Sequence, residues 1–143
     1  SFIGSKISVI SKNIIYAIEL RVLLHDAFTE ELEQLNESLQ DELFAHAKLL
    51  ANYGPHLGRP TVDTLKGSYY FNMKEMRFSW QQEVWRVAFA FDPHRQAILL
   101  VGGNKCGVNQ SRFYKRLIQV AEHRYQEHLQ NLNQTNIKEY RYD

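Results

Sequence analysis

Arg77 and Arg86 each stand inside a run in which apolar and polar residues alternate. Met76, Phe78 and Trp80 alternate with Glu75, Arg77 and Ser79; Trp85, Val87, Phe89 and Phe91 alternate with Arg86, Ala88 and Ala90. A period of two is that of a strand with one buried face. A turn centred on Gln81-Gln82 folds the two runs into a hairpin. Phe78 then faces Trp85, Met76 faces Val87, and Arg77 falls directly opposite Arg86. Like charges facing each other across a sheet destabilise it by about 0.2–1 kcal/mol, so something must offset them. Glu75, on the same face as Arg77, can do so as an ion pair, and a bound phosphate can do so as well. The plainer alternative is a solvated sheet face whose arginines have no ligand.

Further basic residues surround this pair. Lys105 lies in Val101-Gly102-Gly103-Asn104-Lys105-Cys106-Gly107, a glycine-rich turn that would let a lysine approach phosphate, although it lacks the Walker spacing. Tyr114 and Lys115 fall at the start of a helical pattern, and helix N-termini attract anions. Other chemistries find little support. His123 and His128 are too far apart in register to share a helix face, and there is no HExxH, so no metal site is expected. Cys106 is the one cysteine and has no convincing histidine beside it. Neither GxSxG nor GxGxxG occurs, and no cofactor is expected.

The elements that must hold these residues can be read from periodicity. A strand is expected at about 16–24. Phe28, Leu32, Leu35, Leu39, Leu43, Ala47 and Leu50 recur at helical spacing, which predicts two antiparallel helices over roughly 27–36 and 39–53. Ser38 and Asp41 resemble a capping box for the second, and Gly54-Pro55 ends it. Residues 54–67 read as a structured loop. A third strand, Gln96–Val101, enters through Asp92-Pro93-His94-Arg95. A turn centred on Pro93-His94 pairs Phe89 with Ile98, Val87 with Leu100 and Arg86 with Val101. Ala88 and Ala90 would then leave a concave floor beside the arginines. A last helix over 111–129 is capped by Asn109 or Ser111. The expectation is an α+β domain: an N-terminal strand, a two-helix hairpin, a three-stranded antiparallel meander and a C-terminal helix, with the helices on one sheet face.

With 143 residues and 44% apolar content, the chain suits one globular domain, placed at 21–130. Residues 1–20 read as an extension of uncertain role, and 131–143 as a polar tail expected to fray. Lys6, Lys12, Glu19 and Arg21 interrupt the apolar N-terminal patches, so no signal peptide is expected. No apolar run reaches membrane-spanning length. A single cysteine suits a reducing compartment, and a cytoplasmic location is expected. The net charge of +1 hides an asymmetry. Residues 26–42 carry seven acidic residues and no Lys or Arg, whereas 66–116 carry nine basic residues against three acidic. The plainer reading is two solvated faces that happen to differ; the sharper one is a basic second half that meets an anion such as RNA, since clustered basic charge is the footprint of a nucleic-acid binder.

Several segments, in order and at matching spacing, carry a resemblance over about residues 22–129. The stretch Leu43 to Pro60 with Gly54 and Gly58, then Asp63-Thr64-Leu65-Lys66-Gly67, Met73-Lys74-Glu75-Met76-Arg77, Trp85 to Asp92 and Gly102-Gly103-Asn104-Lys105, resembles phage-derived addiction-module toxins. The chain looks like a HigB-like toxin of the RelE/ParE superfamily. That resemblance implies a RelE-like fold and a metal-independent endoribonuclease that cuts mRNA, often on the ribosome, by attack of a ribose 2′-OH on the adjacent phosphate to leave a 2′,3′-cyclic phosphate. It implies a cognate antitoxin, commonly of the helix-turn-helix type, through which alone DNA would be bound. Carried onto this sequence, Arg77 and Arg86 would hold the scissile phosphate, Lys105 would stand near the leaving oxygen, and Tyr114 would stack on a base or assist proton transfer. Lys66, Lys74 and Lys115 would position the RNA backbone. Where ribosome-dependent relatives place a lysine, this register offers Glu75, as general base or as a brace for Arg77. The resemblance also admits a ParE-like gyrase inhibitor and an inactive relative that only binds antitoxin.

Overall fold

The structure is a computed structural model that describes residues 20–142, with side chains described as far as Gln134. The expected extension therefore lies almost wholly outside the described residues. The first strand, β1 (Arg21–Leu24), is followed by helices α1 (Asp26–Glu33) and α2 (Glu37–Tyr53). The His25 ring caps α1 by accepting from the Ala27 N–H at 3.1 Å. Asn36, rather than Ser38, caps α2: its side-chain oxygen accepts from the Ser38 N–H at 2.8 Å. Ser38 instead receives the indole N–H of Trp80 at 2.9 Å, which ties the start of α2 to the sheet. Gly54 ends α2 in a left-handed conformation, φ 54°, which glycine adopts without steric cost.

The sheet is larger than a three-stranded meander. Strands β2 (Val62–Thr64), β3 (Met73–Trp80), β4 (Glu83–Phe91) and β5 (Gln96–Asn104) are joined antiparallel, β1 pairs parallel with β5, and the order is β1-β5-β4-β3-β2. The β3–β4 register is the expected one, with Arg77 opposite Arg86, Phe78 opposite Trp85 and Met76 opposite Val87. Gln81 and Gln82 both take positive φ, 47° and 67°, as a tight two-residue hairpin turn requires. The β4–β5 register differs from expectation. Phe89 pairs with Leu99, Val87 with Gly102 and Arg86 with Gly103. Two local events cause this. The turn includes Arg95 at φ 59° and closes from the Asp92 N–H to the Gln96 carbonyl at 2.8 Å; a bulge between Ala88 and Phe89 then shifts the pairing again.

Helices cover both faces of the sheet, not one. Met76, Phe78, Val87, Phe89 and Leu99 pack with Phe28, Leu32, Leu39, Leu43, Ala47 and Leu50 of α1 and α2. On the other face, Met73, Ala88, Ala90, Ile98 and Leu100 pack with Leu117, Ala121 and Tyr125 of α3 (Gln110–Tyr142). The face expected to lie open is thus covered by α3 over most of its length. Ala88 and Ala90 are fully buried beneath that helix and form no concave floor. Asn109 caps α3, accepting from the Arg112 N–H at 3.2 Å. The helix continues through the stretch expected to fray, as far as Tyr142. Arg124 of α3 forms a two-pronged ion pair with Glu31 of α1, at 2.7 and 2.8 Å, and also donates to the Leu100 carbonyl, binding the two helical layers across the sheet. Among the described residues no helix is long and apolar enough to cross a membrane.

Candidate active site

Alternation along β3 and β4 places Glu75, Arg77 and Arg86 on the face that receives α3. At Gly103, opposite Arg86, an added Cβ would come within 3.3 Å of the Phe113 ring. A bare backbone here lets the first turns of α3 approach the strand, and Tyr114 is thereby laid over the arginine. The Arg86 guanidinium carbon lies 5.8 Å from the centre of the Tyr114 ring. One oxygen of Glu75, Oε1, accepts from Arg77 Nε at 2.6 Å and from the Tyr114 hydroxyl at 3.3 Å. The structure therefore brings together Glu75, Arg77, Arg86 and Tyr114, residues from three separate elements.

Burial makes this cluster unusual. Glu75 is 2% exposed and Arg86 8%. Besides lying against the Tyr114 ring, the Arg86 guanidinium donates a long hydrogen bond from Nη1 to the Val84 carbonyl at 3.4 Å, and its Nε is buried with no hydrogen-bond partner. Glu75 Oε2 is likewise buried and unpartnered. A buried donor or acceptor without a partner costs about 1–3 kcal/mol, and more when charged. An arrangement that leaves one of each beside two guanidiniums is poised for a ligand that offers both an anion and a hydroxyl. The Arg77 side chain, 40% exposed, gives such a ligand its way in.

The titration of the cluster points the same way. Burial, then the charge of Glu75, pushes the Tyr114 hydroxyl above the usual tyrosine range, so it stays protonated and can donate. The hydrogen bond to Glu75 holds Arg77 more firmly cationic. Two guanidiniums against one inward carboxylate leave the cluster net positive. Asp63 of β2, 3.5 Å from Arg77, is shared with Arg59 at 3.1 Å. Asp63 stands in a segment whose Gly and Pro content reads as loop, but β2 pairs it with Glu75 and so brings it to the site.

The lysines are dispersed. Lys105 follows β5 at the rim, and its ammonium donates to Gln110 Oε1 at 3.1 Å rather than to the cluster. Lys115 is exposed beside Tyr114 on α3. Lys66 is exposed just before Gly67, whose Cβ position faces Ile118, one helical turn beyond Tyr114. Lys74 alternates onto the opposite face of β3 from Arg77 and is not brought to the site. Two concavities lie elsewhere. One, of about 520 Å³, runs along Val101–Asn104 between α1 and α3; the other, of about 980 Å³, lies by the β4–β5 turn next to Leu20.

The family described as phage derived protein Gp49-like matches residues 30–126, a span that contains Glu75, Arg77, Arg86, Lys105 and Tyr114. The Mycobacterium tuberculosis protein named "Putative toxin HigB2" is 42% identical over 109 residues, which cover 75% of this chain and 53% of that protein. "Putative toxin HigB3" of the same organism is 44% identical over 90 residues, 63% of this chain and 76% of that protein. The chain thus spans about half the length of the first relative and three quarters of the second. Matched from within α1, through the strands that carry the site and well into α3, the chain belongs to the phage-derived Gp49-like family.

Proposed function

We propose that this chain is the toxin of a toxin–antitoxin pair and an endoribonuclease that cuts mRNA on the ribosome. The names of its relatives support the toxin reading. The observation that carries the nuclease reading is the pair of buried, unpartnered atoms, Arg86 Nε and Glu75 Oε2, beside Arg77 and Tyr114. In this reading the scissile phosphate docks on Arg77 and Arg86, which neutralise charge as it develops. Glu75 Oε2 takes the proton of the neighbouring ribose 2′-OH. The 2′-oxygen bonds to phosphorus, the bond from phosphorus to the 5′-oxygen breaks, and Tyr114 delivers a proton to the leaving oxygen. The products are a 2′,3′-cyclic phosphate and a 5′-hydroxyl. Lys105 at the rim, with Lys66 and Lys115, attracts the flanking backbone. A cognate antitoxin neutralises the protein, and both act in the cytoplasm.

Induction in growing bacteria, followed within minutes by mapping of mRNA 5′ ends, tests the proposal with Arg86→Ala alongside. New cuts within translated frames and growth arrest are expected from the parent. Both are lost in the variant, which still binds antitoxin within about tenfold of the parent. Growth arrest without new cuts would move the activity to another target, such as gyrase.

A further inference from the structure

The loop between β2 and β3 exposes two large aromatic side chains, Tyr69 at 86% and Phe71 at 93%. An apolar ring left in water forgoes the free energy of burial. This loop is nevertheless held firmly. Glu122 of α3 accepts from the Ser68 hydroxyl at 2.8 Å and from the Tyr69 N–H. The Ser68 oxygen accepts from the Tyr70 N–H at 3.1 Å, and the Asn72 amide donates to the Phe91 carbonyl and the Tyr125 hydroxyl, each at 3.2 Å. Tyr70 turns inward, edge-on to Tyr125 at 5.0 Å. Two rings outward and one inward, on a backbone fixed to a helix, make a preorganised surface.

Its position relative to the arginines follows from α3. Tyr114 touches Glu75, Ile118 faces Gly67, and Glu122 holds Ser68 and Tyr69. These helix positions recur every four residues and so lie along one side of α3. At 1.5 Å per residue, Glu122 stands roughly 12 Å beyond Tyr114. That is the length of about three stacked nucleotides, or of fewer extended ones. Lys66, exposed and next in sequence to the Gly67 that faces Ile118, offers a cation for a backbone phosphate between them.

We propose that Tyr69 and Phe71 form a base-stacking platform for single-stranded RNA whose scissile phosphate lies at Arg77 and Arg86, a proposal that rests on the nuclease reading above. A base stacks favourably on an aromatic ring whatever the sequence, since every base has a π-face. The platform holds a flanking nucleotide and fixes where along the strand the cut falls.

The test uses ribosomes programmed with an mRNA of defined sequence, and compares the parent with Tyr69→Ala, Phe71→Ala and Phe71→Trp. Both rings are exposed, so thermal unfolding should be unchanged across the set. The alanine variants are expected to raise KM about tenfold with kcat little altered and to blur the cut position, while Phe71→Trp cuts as the parent does. Alanine variants with parental KM and cut position would overturn the platform and leave the nuclease reading standing. The same result with loss of antitoxin neutralisation would assign the rings to a protein partner instead. A parent that, like Arg86→Ala, makes no cut on ribosomes would overturn both readings together.

Discussion

In the proposed mechanism Glu75 has two roles, as base and as brace, and they reside on different oxygens. Oε1 is occupied by Arg77 and Tyr114, whereas Oε2 is free. Glu75→Gln separates the roles, because the amide oxygen can still accept from Arg77 while the base is gone. We predict a fall in the rate of cutting by about 10²-fold or more, the usual range for loss of a general base, with growth arrest lost and the fold retained. A cutting rate within a few-fold of the parent would reduce Glu75 to a brace for Arg77. The opposition of Arg77 and Arg86 was legible from sequence because a two-residue turn fixes hairpin register and alternation fixes the face. The orphaned atoms were not legible. They depend on α3 closing over the cluster, which no local pattern records.

At the scale of elements, the approach of α3 to β5 depends on Gly103. Gly103→Val would press on Phe113 and lift the start of the helix away from the strand. Overpacking of this kind costs about 1–3 kcal/mol of stability. We predict that loss in denaturant unfolding, together with slower cutting as Tyr114 withdraws from Glu75. The β4–β5 turn makes a second prediction. Burial alone would push the Asp92 carboxyl upward, but His128, the Gln96 backbone and side chain, and the His94 N–H hold it below its usual range. A carboxyl with a lowered folded value contributes its stability in full above the unfolded value, about 3.9, and loses it as the pH falls further. Asp92→Asn should therefore cost about 1–3 kcal/mol near neutrality and show a flatter decline in stability in acid than the parent. A parental curve would show the turn to be incidental. Why this turn was misread is also physical. Arg95 takes a left-handed conformation that a non-glycine residue does not announce, and the Ala88–Phe89 bulge has no sequence mark. Strand β2 was missed because three residues in a stretch rich in Gly and Pro are too few to show alternation.

Over the whole molecule, the charge asymmetry seen in sequence becomes a separation of faces. The acidic helices α1 and α2 cover one side of the sheet, with Glu30, Glu33, Glu37 and Asp41 exposed. The other side carries Arg77 and Arg86, with exposed Arg112, Lys115 and Arg116 on the first turns of α3. A polyanion is repelled by the first side and drawn to the second, which would orient the RNA of the proposed reaction before contact. The one-sided layering expected from sequence does not hold, because small residues such as Ala88 and Ala90 can leave space beside a ligand or let a helix pack close, and here α3 packs on them. The central claim is that the cluster on this second side cuts RNA by internal attack of a 2′-OH. The most direct test replaces the one ribose on the 5′ side of a mapped cut with 2′-deoxyribose, in an mRNA programmed on ribosomes with the purified protein. The account predicts that cutting at that bond disappears, while the all-ribose control yields a 2′,3′-cyclic phosphate and a 5′-hydroxyl. Continued cutting at the deoxy position would contradict it.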